Sequence, residues 1–453
     1  MFSWAEKRSG LVAPDERLPW PGTIALGLQH VLAMFGATVV APLIMGFDPN
    51  LAIFFSGIGT LIFFVVVGGR VPSYLGSSFA FIGPVAAVVG SSAAGTFNAA
   101  AIPNALGGII AAGVVYAVIG LLVQVAGSDW IDRLMPPLVT GAVVMIIGLN
   151  LAGAARNLAA NDPSITIVTV LAILAIALFA RGLLGRLPIL LGAAVGYLVA
   201  LILGGVSTSG TVPSNNLLGV TIQGVDLSKV ASAAWFGVPS FVTPSFEPRA
   251  MSLIAPVAIV LVAENTGHIK AVSAMTRRNL TPYLGRGFLG DGVATLVAGL
   301  GGGTGVTTYA ENIGVMAVTR VYSTAIFVVA AVVAILLGFS PKFGALIGSI
   351  PLGVLGGVST VLFGLIAVTG GRIWVDNRVD FTRSVNLFVA AVTLIVGAAD
   401  YTLRLGGFEL AGIGIGTFGA ILLYQALKNA RGDLDVEVAE TVPPADAVPS
   451  PVR

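Results

Sequence analysis

The sequence predicts an all-α, polytopic membrane protein of about fourteen transmembrane segments, arranged as two inverted repeats of seven. Two features of the composition support this fold class. Hydrophobic residues make up 56% of the 453-residue chain, and only 10% of its residues are charged, against roughly 25% in soluble domains. The third observation is that one long polar connection divides the apolar segments into two sets of seven.

The composition also excludes several classes of function. A net charge of +2 leaves no basic surplus for nucleic acid, and a chain without cysteine has no thiol nucleophile and no thiolate metal site. Two histidines are few for a metal centre. The sequence contains no HExxH pattern and suggests no catalytic triad, so it indicates neither an enzyme nor a cofactor.

Charges and Gly/Pro clusters separate the apolar segments, and a helix needs about 20 apolar residues to cross a bilayer. The predicted spans are 23–46, 51–69, 75–95, 104–126, 134–155, 163–181, 187–206, 251–271, 287–301, 305–319, 321–340, 344–369, 384–399 and 409–427.

Positive charges predict the orientation of these spans. With both termini in the cytoplasm, most of the 23 Lys and Arg residues fall on the inside, as the positive-inside rule expects. Residues 1–20 are then a cytoplasmic N-terminal tail, and the acidic, Pro-rich residues 429–453 are a disordered cytoplasmic tail. The basic residues left outside are Arg156, Lys229, Arg249, Lys342 and Arg404.

An odd number of spans per half turns the second half upside down relative to the first. The first repeat covers residues 21–206, the connection on the outer side covers 207–250, and the second repeat covers 251–428. The third segment of each half, LGSSFAFIGP (75–84) and GGGTGVTTYAENIG (301–314), joins a β-prone stretch to an apolar run. Irregular backbone at membrane depth must line a cavity or be buried in protein. These matched interruptions therefore indicate a binding site.

Two carboxylates lie inside predicted spans where no membrane interface explains them. Glu264 falls about two thirds of the way along the eighth span, and Glu311 follows the interrupted stretch TTYA. Charges at such depth are costly and are usually functional. The alternative is that each is a buried carboxyl that only fixes helix packing through hydrogen bonds.

The other polar residues within spans have different expected roles. His268 follows Glu264 by four residues and shares its helix face, about 6 Å along the axis. A carboxyl and an imidazole so placed can exchange a proton, although His268 could instead hydrogen-bond at the inner interface. Gln29 and His30 are expected to hold helices together. Asp291, at the start of the ninth span, is expected at the cytoplasmic interface.

At these positions the sequence resembles the nucleobase-ascorbate transporters. ENIGVMAVTR (311–320) fits the signature of that family. Four stretches resemble the bacterial uracil:proton symporters in the same order, and the likeness extends from about Leu18 to Lys428. These stretches are LQHVLAMFGATVVAPL (28–43), YLGSSFAFIGP (74–84), AENTGHI (263–269) and TTYAENIGVMAVTRVYS (307–323).

The resemblance implies a core domain of spans one to four and eight to eleven, and a gate domain of the remaining spans. It implies short strands in the third and tenth segments, with uracil between those strands and the eighth span. It also implies proton symport across the cell inner membrane and a possible homodimer. The residues it assigns to the substrate are Glu264, Glu311, Phe79, Ala310, Tyr309 and Ser78, with the backbone N–H groups of Phe79 and Ala310 meeting a uracil carbonyl. Proton coupling is assigned to Glu264 and His268.

The sequence departs from the uracil-transporting relatives at two positions. Ala310 stands where those relatives usually have Gly, and Phe363 where they tend to have Tyr, so the range of nucleobases stays open. A purine or xanthine permease of the same family is the second interpretation. An anion transporter or channel of related fold is a third, but it predicts a cation at mid-membrane, where the sequence has carboxylates.

Overall fold

The computed structural model describes residues 3–8, 10–90, 97–182, 184–217, 219–405 and 408–429, and the predicted disordered tail after residue 429 lies outside them. The protein is mostly helical. Its helices are α1 (Trp20–Met45), α2 (Pro49–Val66), α3 (Ile82–Val89), α4 (Ile102–Ala126), α5 (Asp129–Leu134), α6 (Pro137–Asn150), α7 (Ala152–Asn161), α8 (Pro163–Phe179), α9 (Pro188–Val199), α10 (Ser228–Ser232), α11 (Pro248–Ile254), α12 (Val257–Thr276), α13 (Leu284–Gly301), α14 (Ala310–Thr319), α15 (Thr324–Gly338), α16 (Pro341–Gly348), α17 (Leu352–Asp376), α18 (Ser384–Ala398) and α19 (Gly412–Leu427).

The strands are short and pair two by two. They are β1 (Ala5–Glu6), β2 (Glu16–Arg17), β3 (Leu75–Ser77), β4 (Val206–Ser207), β5 (Ser214–Leu217), β6 (Val220–Gln223), β7 (Val225–Asp226), β8 (Val306–Thr308), β9 (Leu403–Leu405) and β10 (Phe408–Leu410). The pairs are β1 with β2, β3 with β8, β4 with β7, β5 with β6, and β9 with β10.

Several helix ends follow from local sequence signals. α1 has Pro21 in its first turn and ends at Gly46, whose φ of 76° is a left-handed conformation that glycine adopts without strain. α2 begins after Asp48, whose carboxylate accepts a hydrogen bond from the Asn50 amide. Asp162 caps α8 through the Ile165 amide, and its second oxygen accepts from the Gln223 amide in β6.

Among the described residues, six stretches are long and apolar enough to cross a bilayer, or seven if α15 and α16, bent by 85°, form one span. The six are Trp20–Met45, Pro49–Val66, Ala99–Ala126, Pro137–Asn161, Pro248–Thr276 and Leu352–Asp376. Other apolar helices are shorter, such as α18 with 15 residues. Segments three and ten are divided into a strand and a short helix, as the interruptions in the sequence predicted. The bend after α15 lies inside the region predicted as the boundary between two straight spans.

The helices pack in two groups. In the first group, α4 lies along α13, α2 packs against α13 and α15, and α1 contacts α15. In the second group, α17 packs against α6, α7 and α8, and α18 packs against α6 and α19. α12 lies between the groups, because it contacts α4 and α13 on one side and α6 and α19 on the other.

The segment before α1, expected to be a tail, packs on one end of the first group. Val12 is fully buried, its amide donates to the carbonyl of Arg320 at 3.1 Å, and its carbonyl accepts from the Tyr322 amide at 2.8 Å. The Trp4 indole donates to Thr324 Oγ1 at 2.8 Å. The N-terminal segment is therefore held against the loop after α14 and the start of α15, although its charged composition resembles that of a soluble tail.

Candidate functional site

The two interrupted segments meet in an antiparallel pair of strands. Leu75 of β3 lies opposite Thr308 of β8, and Ser77 lies opposite Val306. All six strand residues are buried. Because each strand satisfies the backbone groups of the other, the chain can be non-helical there without leaving polar groups unpaired.

Tyr309 fixes the position of this strand pair. Its hydroxyl donates to the carbonyl of Ser77 at 2.8 Å and accepts from Thr38 Oγ1 at 3.2 Å. A Cβ atom at Gly76 would lie 2.5 Å from the Tyr309 ring, so only glycine leaves room for it. Tyr309 is thus almost fully buried, although part of it reaches the cavity described below.

A short helix leaves each strand and begins at the same cavity. A 3₁₀ turn starts at Phe79 and continues into α3, and α14 starts at Ala310. The first N–H groups of a helix have no partner inside the helix. Neither the Phe79 nor the Ala310 amide donates to any residue that the structure describes. Each helix start therefore presents free donors and the positive end of its dipole to the cavity.

The cavity has a volume of about 600 Å³ and lies between the two groups of helices. Phe79 and the residues after β8 line one side of it, together with the face of α12 that carries Glu264 and His268. The second group contributes Val144 and Ile147 of α6 and one face of α17. Glu264 and Glu311, the two carboxylates that the sequence places inside spans, both line this cavity.

Glu264 and Glu311 have no protein partner to explain their burial in a membrane-spanning bundle. Across the described ranges, neither carboxylate forms an ion pair or accepts a hydrogen bond from the side chain of another residue. Both are partly exposed, toward the cavity. A carboxylate that only fixed helix packing would have donors around it. Glu311 has a hydrogen bond only with its own backbone, so oxygens of both carboxylates remain available to a ligand.

One end of the cavity reaches the last turns of α12, α14 and α17. Arg372 and Asp376 of α17 line this end and pair with each other at 3.3 Å, with 77% and 61% of their side chains exposed. The only cation lining the cavity in the described structure is therefore at its mouth and already paired.

The remaining predicted residues have different placements. Ser78 is fully buried: its amide donates to the carbonyl of Gly305 at 2.9 Å, and its Oγ accepts from the Ala80 amide. Ser78 caps the 3₁₀ turn and is not among the residues that line the cavity. Phe363 is 2% exposed, and its ring packs edge-on against Phe79 with centroids 5.7 Å apart.

Asp291 was wrongly placed at the interface from the sequence. It is fully buried on α13, and Asn265 of α12 donates a hydrogen bond to its Oδ2. The interface was inferred from a span that was set to begin at residue 287, whereas α13 begins at Leu284, so Asp291 is two turns inside. Asn265 also donates to Tyr116 Oη and accepts from Thr308, which contacts His268.

Sequence reasoning missed this cluster of Asp291, Asn265, Tyr116 and Thr308. The sequence shows these four only as single polar residues within apolar segments, and each lies on a different helix or strand. Only the packing of α4, α12 and α13 brings them together.

The second histidine has a packing role, as predicted. His30 of α1 is fully buried, and Asn312 of α14 lies 2.9 Å from its Nδ1 and donates to its carbonyl at 3.1 Å. The His30 ring also packs against Phe327. These contacts join α1 to α14 and α15.

The described residues contain no group of three or more His, Asp or Glu side chains placed to hold a metal ion. What they contain is a cavity between two packed groups of membrane helices, with carboxylates and helix starts facing it. A small polar molecule could be bound there and passed between the two faces of a membrane. These features define a membrane permease.

Comparison with known proteins gives the family. A family model described as "Permease family", for xanthine and uracil permeases, matches residues 21–405. The chain is 58% identical over 447 residues to "Putative pyrimidine permease RutG" of Escherichia coli (strain K12), covering 97% of this chain and 95% of that protein. It is 42% identical over 424 residues to "Uracil permease" of Bacillus caldolyticus, covering 90% and 92%. The chain belongs to the xanthine/uracil permease family, and it is a nucleobase permease, not an enzyme.

A solved structure shares the fold at low sequence identity. It is the transmembrane domain of a cyanobacterium bicarbonate transporter, BicA, with a TM-score of 0.61 and 14% identity. The match covers 88% of this chain and 97% of that chain. Resemblance at this level concerns the arrangement of helices alone.

Proposed function

We propose that the protein imports uracil by proton symport. The observation that carries the proposal is that Glu264 and Glu311 face one cavity without partners, while the starts of two short helices present free N–H groups to it. Uracil has two N–H donors and two carbonyl acceptors on a small flat ring. Carboxylates would accept from its N–H groups, and the amides of Phe79 and Ala310 would donate to a carbonyl.

Such a site selects its ligand by hydrogen bonding. A buried donor or acceptor left without a partner costs about 1–3 kcal/mol, and more if the group is charged. An analogue that lacks one edge of uracil would leave a carboxylate or an amide of the site unpaired. Relatives at 58% and 42% identity are named as pyrimidine and uracil permeases, which supports the choice of a pyrimidine.

Proton coupling follows from the position of Glu264. An ionised carboxylate far from water is costly. Protonation together with bound uracil removes the charge and satisfies the polar groups of the site, so the occupied, protonated protein and the empty protein can both reorient. His268, four residues further along α12 and lining the same cavity, can exchange a proton with Glu264.

Alternating access would come from movement of one helix group against the other. In this proposal the chain crosses the membrane fourteen times as two inverted seven-span repeats. α1–α4 and α12–α15 form the core domain, and α6–α9 with α17–α19 form the gate domain. The separate packing of these groups, and a cavity lined by both, support the division.

The orientation and assembly are part of the same proposal. Both termini lie in the cytoplasm of a cell whose inner or plasma membrane holds the protein, because most Lys and Arg residues then lie inside. The cavity that reaches Arg372 and Asp376 would then be open to the cytoplasm. A homodimer through the gate domains is expected from the family resemblance.

One contact keeps a purine as the second candidate substrate. Phe363 supports the ring of Phe79 beside the cavity and offers no hydroxyl, and Ala310 adds a methyl group at the start of α14. Ala310 lines the cavity directly, whereas Phe363 acts on it only through Phe79. Anion transport is less favoured, because the cation that lines the cavity, Arg372, is paired with Asp376 at its mouth.

Uptake of labelled uracil into proteoliposomes tests the proposal. With the interior alkaline, we expect accumulation above the external concentration, and collapse of that accumulation when a proton uncoupler is added. A sodium gradient of equal size without a pH gradient should give no accumulation. Excess unlabelled xanthine or hypoxanthine should leave uracil uptake unchanged, whereas competition by either would favour the purine candidate. Uncoupler-resistant or sodium-driven accumulation would refute proton symport.

A further inference from the structure

The hydrogen bonds behind the cavity fix which nitrogen of His268 carries its proton. His268 Nδ1 lies 2.8 Å from Thr308 Oγ1, on the side of the ring that faces β8. A neutral imidazole has one donor nitrogen and one acceptor nitrogen, and its partners decide which is which. Here the partners form a series of hydrogen bonds that ends at a group that can only accept.

That end is the backbone carbonyl of Leu261. The hydroxyl of Tyr116 donates to it at 3.2 Å. Tyr116 is fully buried and stacks on Phe288, so its hydroxyl cannot turn to water. A phenol has a single hydrogen, and the oxygen of Tyr116 must therefore accept from its other neighbour, Asn265, whose Nδ2 lies 2.5 Å away.

This contact sets the orientation of the Asn265 amide. With the amide nitrogen toward Tyr116 and Asp291, the amide oxygen faces Thr308. An amide oxygen only accepts, so the hydroxyl of Thr308 donates its one hydrogen to Asn265. Asp291 accepts the second hydrogen of the amide nitrogen whether its own carboxyl is ionised or neutral, because Oδ2 keeps a lone pair in both states.

We infer that Tyr116, Asn265 and Thr308 hold His268 as the Nδ1–H tautomer, with Nε2 as the proton-accepting atom on the cavity side. Thr308 has given its hydrogen away and can only accept from His268. Among the described residues no side chain bonds to Nε2; the ring also has a hydrogen bond with the backbone of Thr308, and it lines the cavity. The three residues of the chain are positioning residues, because they act on the proton through His268.

The inference rests on the proposed function for its consequence in transport. A proton that passes between Glu264 and His268 would arrive at and leave from Nε2, in the cavity, while Nδ1 stays bonded to the protein. The charged groups that face this cavity are Glu264 on α12, Glu311 on α14, and the pair Arg372 and Asp376 on α17.

His30 provides an internal control with the opposite tautomer. Asn312 Nδ2 donates to the carbonyl of His30, which fixes the amide nitrogen toward α1. The same nitrogen lies 2.9 Å from His30 Nδ1, which must then accept. The proton of His30 is therefore on Nε2.

¹⁵N NMR of the purified protein tests the inference directly. The chain has two histidines, so labelling histidine gives two rings, provided that purification uses a tag without histidine. His268→Gln identifies the His268 signals by their loss. At a pH where the rings are neutral, we expect the Nδ1–H pattern for His268 and the Nε2–H pattern for His30.

Thr308→Val and Thr308→Ser separate the positioning role from a structural one. Val keeps the β-branched shape and removes the hydroxyl, so His268 should become a mixture of tautomers while His30 stays unchanged. Ser restores the hydroxyl and should restore the Nδ1–H pattern. If Thr308→Val does not fold, the wild-type spectrum still decides the tautomer.

Three results would overturn the inference: an Nε2–H pattern for His268 in the wild type, a wild-type pattern in Thr308→Val, or an imidazolium at every pH at which the protein is folded. The measurement needs no transport. An Nδ1–H tautomer in a protein that fails the uracil uptake test would leave this inference standing and remove the proposed function. An Nε2–H tautomer in a protein that passes the uracil uptake test would overturn this inference and leave the proposed function standing.

Discussion

Two adjacent residues of α14 lie in opposite environments. Glu311 faces the cavity and bonds to no side chain of the described residues, whereas Asn312 is fully buried and bonded to the ring and carbonyl of His30. Successive helix residues point about 100° apart, so one turn of helix both lines the cavity and makes a packing contact. The two residues differ mainly in that Glu311 lies beside a cavity and Asn312 does not.

The same contrast separates the two regions around these residues. Around Glu264 and Glu311, polar groups are left without partners beside a cavity of about 600 Å³. Around His30, the Asn312 amide meets two acceptors and the Phe327 ring packs on the imidazole, while the buried His30 Nε2 and Asn312 Oδ1 have no hydrogen-bond partner among the described residues. A polar group at membrane depth is costly in either place. In the proposed function the first region recovers that cost when a ligand binds, whereas the second recovers part of it when the protein folds.

The largest expected effect is the loss of proton-driven uptake in Glu264→Gln. The amide keeps the shape of the side chain but has no proton to release and one acceptor oxygen instead of two. A hydrogen bond to a charged group is worth about 1.5–3 kcal/mol, so uracil binding should weaken by about 10–100-fold. Accumulation in response to a pH gradient should disappear, while the thermal melting temperature in detergent stays at or above that of the wild type.

Glu247→Gln is the matched control, because Glu247 precedes α11 and does not line the cavity. It should transport like the wild type. Normal accumulation by Glu264→Gln would show that the cavity carboxylate is not the coupling group. The difference between the two regions would then have no consequence for transport.

A smaller effect on transport, with a larger effect on folding, is expected from Asn312→Ala. The substitution leaves the buried Nδ1 of His30 without a partner, at a cost of about 1–3 kcal/mol. The melting temperature should fall. Uracil affinity should fall by less than in Glu264→Gln, because α14 and hence Glu311 are held less firmly, and the uptake that remains should still collapse with an uncoupler.

Asn377→Ala is the control, since Asn377 is exposed and donates only to Ile373 in its own helix. It should change neither stability nor uptake measurably. If Asn312→Ala instead kept full stability and lost its dependence on the pH gradient, Asn312 would belong to the coupling machinery and not to the packing of α1 and α14.

The sequence predicted what depends on one segment at a time. Apolar blocks, Gly/Ser/Thr-rich interruptions and uncompensated carboxylates are local patterns, so β3, β8 and the cavity position of Glu264 and Glu311 could be expected before the structure. Helix ends were predicted less well. The bend between α15 and α16 and the true start of α13 depend on packing, which a hydropathy pattern does not contain.

What the sequence could not predict are contacts between distant residues. Asp291 meets Asn265 only because α13 packs beside α12. From the sequence alone, a single carboxylate near the end of a predicted span is expected at the membrane interface. The N-terminal segment has the charges of a tail, yet Val12 pairs with backbone some 300 residues away. Backbone pairing depends little on side-chain type, so composition gives no sign of it.

The smallest effect is expected where a polar contact lies in water. Asp15 accepts a hydrogen bond from Arg278 at 2.7 Å, just beyond α12, with about half of each side chain exposed: 49% and 40%. The Arg278 guanidinium holds the pKa of Asp15 below its ordinary value. The stability from this pair is therefore present above the ordinary aspartate pKa of about 3.9, and it is lost as the pH falls through the lowered pKa.

Exposed ion pairs contribute about 0.2–1 kcal/mol. Asp15→Asn should therefore lower the melting temperature slightly at pH 7, and the difference from the wild type should shrink in high salt and at low pH. Asp129→Asn, at an exposed aspartate without an ion pair to any described residue, is the control and should cause no shift. Uracil uptake should be unchanged in both. A fall in uptake in Asp15→Asn as large as that of Asn312→Ala would contradict this ranking, because water, unlike the bundle interior, compensates Arg278 when its partner is removed.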